Sequence, residues 1–223
     1  MKTTLQPVTE LDITIPLELL ELKGDLVVPE SANGLVLFAH GSGSSRKSSR
    51  NRFVAEILHE NGIGTLLFDL LTISEEKQDV LTAEFRFNIN LLSERLIRVT
   101  NWMIQQFGAV QLGYFGASTG AAAALNAAAF FGERIGAVVS RGGRPDLAGS
   151  NLRKVQSPTL LIVGGRDNQV IQLNEQAFAE LVCVRKLELV PGATHLFEEP
   201  GTLQQAAKLA SAWFKTSLAS ISE

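Results

Sequence analysis

Apolar residues along this chain keep two alternating rhythms. Near the start, Leu11, Ile13 and Ile15 alternate with polar neighbours, and similar spacing continues to Val27-Val28. A period of two with one apolar side predicts antiparallel strands wetted on one face. The pattern then changes. Leu35-Val36-Leu37-Phe38, Thr65-Leu66-Leu67-Phe68, Val110 to Phe115, Ala137-Val138-Val139, Thr159 to Val163 and Leu187 to Val190 are short apolar runs, read as buried strands. Between them lie helical stripes. Phe53, Val54, Ile57 and Leu58 end near Gly62, and Phe85, Ile89, Leu92, Leu96, Val99, Met103 and Phe107 end at Gly108. Ala121 to Phe131 is an Ala-rich helix, and Leu203, Ala206, Ala207, Ala210, Trp213 and Phe214 mark a last one. Strand and helix in alternation predict a mostly parallel sheet covered on both faces. Functional groups then belong at the carboxyl ends of the strands.

At one such end stands Gly116-Ala117-Ser118-Thr119-Gly120, between a predicted strand and a predicted helix. Gly-x-Ser-x-Gly in that context is a nucleophile elbow, which presents a serine hydroxyl on a tight turn. The hydroxyl needs a base. Among three histidines, His59 reads as a helix-surface residue, His40 follows a strand, and His195 lies between the last strand and last helix. The order nucleophile, acid, histidine favours His195. The same order favours Asp167 over Asp69 as the carboxylate that orients the imidazole. For the developing oxyanion, the expected donors are the backbone N–H of Thr119 and that of Ser42 in the loop His40-Gly41-Ser42-Gly43-Ser44-Ser45.

That loop also imitates a nucleotide site, with Gly41-x-Gly43 after a strand and Asp69 ending the next. The imitation fails because Arg46 occupies the third glycine position, and also the glycine position before Lys47-Ser48 of a phosphate loop. Basic residues crowd at Arg46, Lys47, Arg50 and Arg52, read as solvated loop charge. Arg141 differs, since it follows a core strand on the catalytic side. Two readings stand open: it binds a substrate carboxylate, or it pairs with Asp146.

The chain has 223 residues, 45% hydrophobic and 19% charged, enough for one α/β domain over residues 1–223. A net charge of −3 argues against a nucleic-acid partner. The single cysteine, Cys183, excludes an internal disulfide and reads as packing. No stretch is apolar for long enough to span a bilayer, and residues 1–7 carry no signal-peptide core, so a cytoplasmic protein is expected.

Taken together, the N-terminal antiparallel strands, Phe38-Ala39-His40-Gly41-Ser42, Leu67-Phe68-Asp69, the elbow, Gly164-Gly165-Arg166-Asp167 and Gly192-Ala193-Thr194-His195 resemble the α/β-hydrolase superfamily, in particular its dienelactone hydrolase-like branch. The resemblance runs over almost the whole length. It implies an α/β-hydrolase fold and a Ser118-Asp167-His195 triad acting on a small ester, thioester or lactone, with no metal or organic cofactor. Dienelactone hydrolases carry a cysteine nucleophile where this chain has Ser118, so the implied activity is that of a serine esterase or related acyl hydrolase. Between Val139 and Thr159 there is little room for a helical lid. The pocket is expected to be open, with His40 and Arg141 on the substrate side, bounded by loops around Thr72 to Thr82 and Arg141 to Asn151. A non-catalytic small-molecule binding protein on the same fold is the alternative; turnover of a chromogenic ester separates the two.

Overall fold

The computed structural model describes residues 8–30, 32–108 and 110–218; the reading of residues 1–7 lies outside them. Eight strands form one sheet in the order β1-β2-β4-β3-β5-β6-β7-β8. Strands β1 (Val8–Leu17) and β2 (Leu20–Pro29) make the expected antiparallel hairpin, and β2 joins β4 (Gly64–Phe68) antiparallel. From there β3 (Leu35–Ala39), β5 (Leu112–Ala117), β6 (Ile135–Arg141), β7 (Thr159–Gly164) and β8 (Arg185–Val190) run parallel.

The continuous apolar runs are explained by helices on both faces. In β3, Leu35, Leu37 and Ala39 enter one core and Val36 and Phe38 the other. On the first face lie α3 (Ile89–Phe107), through Leu92, Leu96, Val99 and Met103, and α4 (Thr119–Phe131). On the second, α1 (Ser49–Glu60) gives Val54 and Leu58, and α6 (Thr202–Ser217) gives Ala206, Ala210 and Phe214. Phe38 stacks on Phe115 there, ring centroids 4.7 Å apart, a contact worth roughly 0.5–1.5 kcal/mol beyond its buried area. The α4 alanines are buried almost all round, because α3, the strands and a 3₁₀ segment over 145–154 enclose the helix. Small side chains permit that close approach.

The structure corrects three expectations. Residues 72–82 are not a loop: α2 (Ile73–Thr82) is held by a capping box between Thr72 and Glu75. The long helix starts at Ile89 rather than Phe85, and α5 (Asn168–Glu180) follows Asp167. His59 is half-buried rather than a surface residue, with Nε2 2.7 Å from Thr65 Oγ1. Among the described residues, no helix is long and apolar enough to cross a membrane.

Candidate active site

The parallel strands deliver their chemistry to one edge. Beyond β3 comes the His40 to Ser48 loop, beyond β5 Ser118, at the end of β6 Arg141, beyond β7 Asp167 and beyond β8 His195. The chain reverses its direction of winding between β3 and β5, which leaves a crevice at their carboxyl ends. A cavity of about 220 Å³ fills that crevice and is bordered by Ser42, Ser118, Arg141 and His195.

Ser118 is built on strain. Its φ of 51° and ψ of −123° place an L-residue in a region that glycine ordinarily occupies. The next turn is tight because a Cβ on Gly120 would stand 2.1 Å from the Ala39 carbonyl oxygen. Only glycine lets α4 start against β3. The N-terminal amides of α4 have no acceptor within the helix and lie beside Ser118; Thr119 supplies the first.

The opposing loop is fixed by His40. Its Nδ1 donates to the Gly41 carbonyl at 3.0 Å, and its Nε2 accepts from the Leu70 amide at 3.0 Å. Burial pushes the imidazole pKa down, so the ring stays neutral and can do both. The Ser44 N–H also donates to Gly41, at 3.2 Å. With that carbonyl held, the planar trans peptide turns the Ser42 N–H the opposite way. Gly41 packs directly on Ser118: a Cβ there would lie 2.9 Å from Ser118 Cβ. His40 therefore reaches the site by positioning the loop, and its side chain borders a neighbouring cavity of about 220 Å³.

Asp167 stands at the N-cap position of α5 with its side chain uninvolved in capping, and its carboxylate is 2.7 Å from His195 Nδ1. The two loops are tied by the Arg166 N–H donating to the Ala193 carbonyl at 2.9 Å. With Nδ1 engaged, Nε2 is the ring nitrogen without a hydrogen-bond partner among the described residues, and His195 borders the same cavity as Ser118. The rival acid, Asp69, is occupied elsewhere: it accepts from the Arg46 N–H at 2.8 Å and lies 3.6 Å from that guanidinium.

Arg141 is 6% exposed. Asp146 does not neutralise it, because Arg144 takes both oxygens of Asp146, at 2.9 and 2.8 Å. Sequence reasoning missed the surroundings of Arg141, namely Asn51, Arg50 and Phe197, since all three are brought to it by packing. Among the described residues no cluster of His, Cys, Asp and Glu is arranged to hold a metal.

The fold is that of the α/β-hydrolases. Within that superfamily, the chain belongs to the dienelactone hydrolase-like branch. It is 52% identical to the dienelactone hydrolase from Anabaena variabilis, over 94% of this chain and 98% of that one, with a TM-score of 0.92. Est1E from Butyrivibrio proteoclasticus shares the fold at 16% identity, with a TM-score of 0.78 over 93% of this chain and 99% of that one. Two Mycobacterium tuberculosis proteins named "putative phosphoribosyl transferase" are 58% identical over 193 residues, 86% of this chain. The chain spans 43% of the length of those relatives. No family model matches it.

Proposed function

We propose that this protein is a serine hydrolase of carboxylic esters, with thioesters and lactones as chemically equivalent substrates. One observation carries the reading: a strained Ser118 shares a cavity with His195, whose other ring nitrogen is 2.7 Å from Asp167. His195 Nε2 takes the Ser118 proton as Oγ attacks the carbonyl. Asp167 keeps the proton on Nδ1 and stabilises the imidazolium. The Thr119 and Ser42 amides receive the oxyanion. Collapse expels the alcohol, which His195 protonates, and leaves acyl-Ser118. A water deprotonated by His195 then releases the acid and restores the serine.

The phosphoribosyl transferase name belongs to proteins of which this chain matches 43%. The site here offers an elbow serine with a histidine and a carboxylate, which serves acyl transfer rather than phosphoribosyl transfer. The test is covalent. A fluorophosphonate should label wild-type protein at Ser118, found by peptide mass spectrometry, with turnover of a chromogenic short-chain ester alongside. Labelling that survives Ser118→Ala would overturn the assignment. A wild-type protein that binds such esters without turning them over would favour a non-catalytic binding protein.

A further inference from the structure

Strand β8 ends the sheet, and its outer side pairs with no strand among the described residues. Backbone groups alternate sides along a strand. The Val184 and Val190 carbonyls accept from the Thr159 and Gly165 N–H groups at 2.8 Å, so the even-numbered residues turn toward β7. Arg185, Leu187 and Leu189 therefore turn their N–H and C=O groups outward. Such a row of free donors and acceptors is a template for another strand. Its flanks are apolar. Val184 is 70% exposed and Leu189 44%. On the α6 face a groove of about 360 Å³ runs beside the edge, lined in part by Leu160, Val184, Leu209, Ala212 and Trp213.

The charges on this edge say what pairs with it. Lys186 and Glu188 stand two residues apart on one face, with Nζ and Oε1 2.6 Å from each other. Charged side chains on an edge usually discourage pairing. Here they discriminate between registers. A two-fold axis normal to the sheet gives both copies the same faces, so even-numbered residues lie opposite even-numbered ones. Antiparallel pairing centred on Lys186 sets Lys186 against itself, and pairing centred on Glu188 sets Glu188 against itself. Like charges directly opposite are destabilising. Centred on Leu187, the pairing sets Lys186 opposite Glu188 of the second copy, and Glu188 opposite its Lys186. Arg185 then lies opposite Leu189, Leu187 opposite itself and Val184 opposite Val190. The outward backbone groups of Arg185, Leu187 and Leu189 all meet as hydrogen-bonded pairs.

We propose that two copies of this chain join β8 to β8, antiparallel about Leu187, so that one sheet runs through both. The alternating signs of Lys186 and Glu188 make the edge complementary to itself in that register alone. Pairing uses up this edge of both copies and brings their α6 grooves side by side, so the contact closes at two. It is independent of the reaction performed at Ser118.

Sedimentation equilibrium of the wild-type chain from about 1 to 200 µM tests this, with twice the monomer mass expected at the upper end. Lys186→Glu and Glu188→Lys each set like charges opposite at two places per dimer, and each should weaken dimerisation at least about tenfold. Both substitutions in one chain reverse the pair and should restore the wild-type constant. An equimolar mixture of the two single variants should also dimerise, because each supplies the charge the other lacks. Loss of the ion pair within one chain is not repaired by mixing, so the mixture separates contact from local structure. A wild-type chain that stays monomeric overturns the proposal and leaves the edge to the strand of a different protein. A mass that grows past two copies, or a dimer indifferent to both single variants, overturns it as well. If either variant fails to melt cooperatively, Leu187→Cys in a Cys183→Ser background decides. Leu187 opposite itself places the two Cα atoms about 5.5 Å apart, within disulfide range. Mild oxidation should then give a covalent dimer on a non-reducing gel, and a chain that stays single refutes the pairing.

Discussion

Replacing Ser118 with glycine should stabilise the protein relative to replacing it with alanine, the reverse of the usual order. At φ 51° and ψ −123° a side chain with a Cβ is strained, at a cost of about 1–3 kcal/mol. Alanine keeps that strain and glycine removes it. Against this stands the greater freedom of glycine in the unfolded chain, worth about 0.4–1 kcal/mol. The net advantage of Ser118→Gly over Ser118→Ala is therefore about 1 kcal/mol. For a domain of this size that raises Tm by roughly 2–4 °C. Both variants lack the hydroxyl, so the comparison isolates the backbone. Thermal unfolding by calorimetry and urea titration read it directly. Lys77, exposed in the middle of α2, provides the control; there alanine should exceed glycine by about 1 kcal/mol. If alanine matches or exceeds glycine at position 118 as well, the elbow stores no strain and its backbone does nothing to activate Ser118.

Further outcomes follow from the same geometry. Asp167→Asn should lower kcat by up to about four orders of magnitude by leaving His195 in the wrong tautomer. Asp69→Asn should cost about 1 kcal/mol of stability through its bond to the Arg46 amide and little activity; steady-state kinetics that rank Asp69→Asn as the more damaging would reassign the acid. His59 gives a pH signature. Burial lowers its pKa from 6.5 to about 4 in the folded protein. Above pH 6.5 it is neutral in both states and contributes nothing. As pH falls toward 4, only the unfolded chain takes up the proton, so stability is lost across that window. For a half-buried ring the loss is about 1–2 kcal/mol after solvent screening. His59→Gln should flatten urea-derived stability between pH 6.5 and 4, and an undiminished slope in that variant would place the acid sensitivity elsewhere.

Much of the fold, and the strand ends where the candidate site lies, was legible in the chain because its elements signal locally. Parallel strands buried on both faces must be apolar at every position, so Leu35 to Phe38 and Thr159 to Val163 stand out without any partner in view. A turn that admits no side chain at Gly116 and Gly120 leaves a fixed spacing around Ser118. Helix α2 escaped because it has little apolar stripe. Its order comes from the Thr72 and Glu75 cap and from Asp79, which is buried and held by Arg86. Helix α5 escaped because a buried Asn174 interrupts its apolar face, donating instead to the Gly143 and Val170 carbonyls.

Sequence alone thus determined which residues could do chemistry and at which strand ends they would emerge, since both depend on local pattern and order along the chain. Tertiary structure alone decided which charges meet. Asp69 and Asp167 both end strands, and only the packing of loops directs one to Arg46 and the other to His195. Arg141 and Arg144 lie three residues apart, and Asp146 follows both closely in the chain. The fold turns Arg144 onto that carboxylate and leaves Arg141 buried, with no carboxylate partner, at the end of the strand beside Ser118. Charge pairing is a contact between side chains far apart along the chain, so no local pattern encodes it.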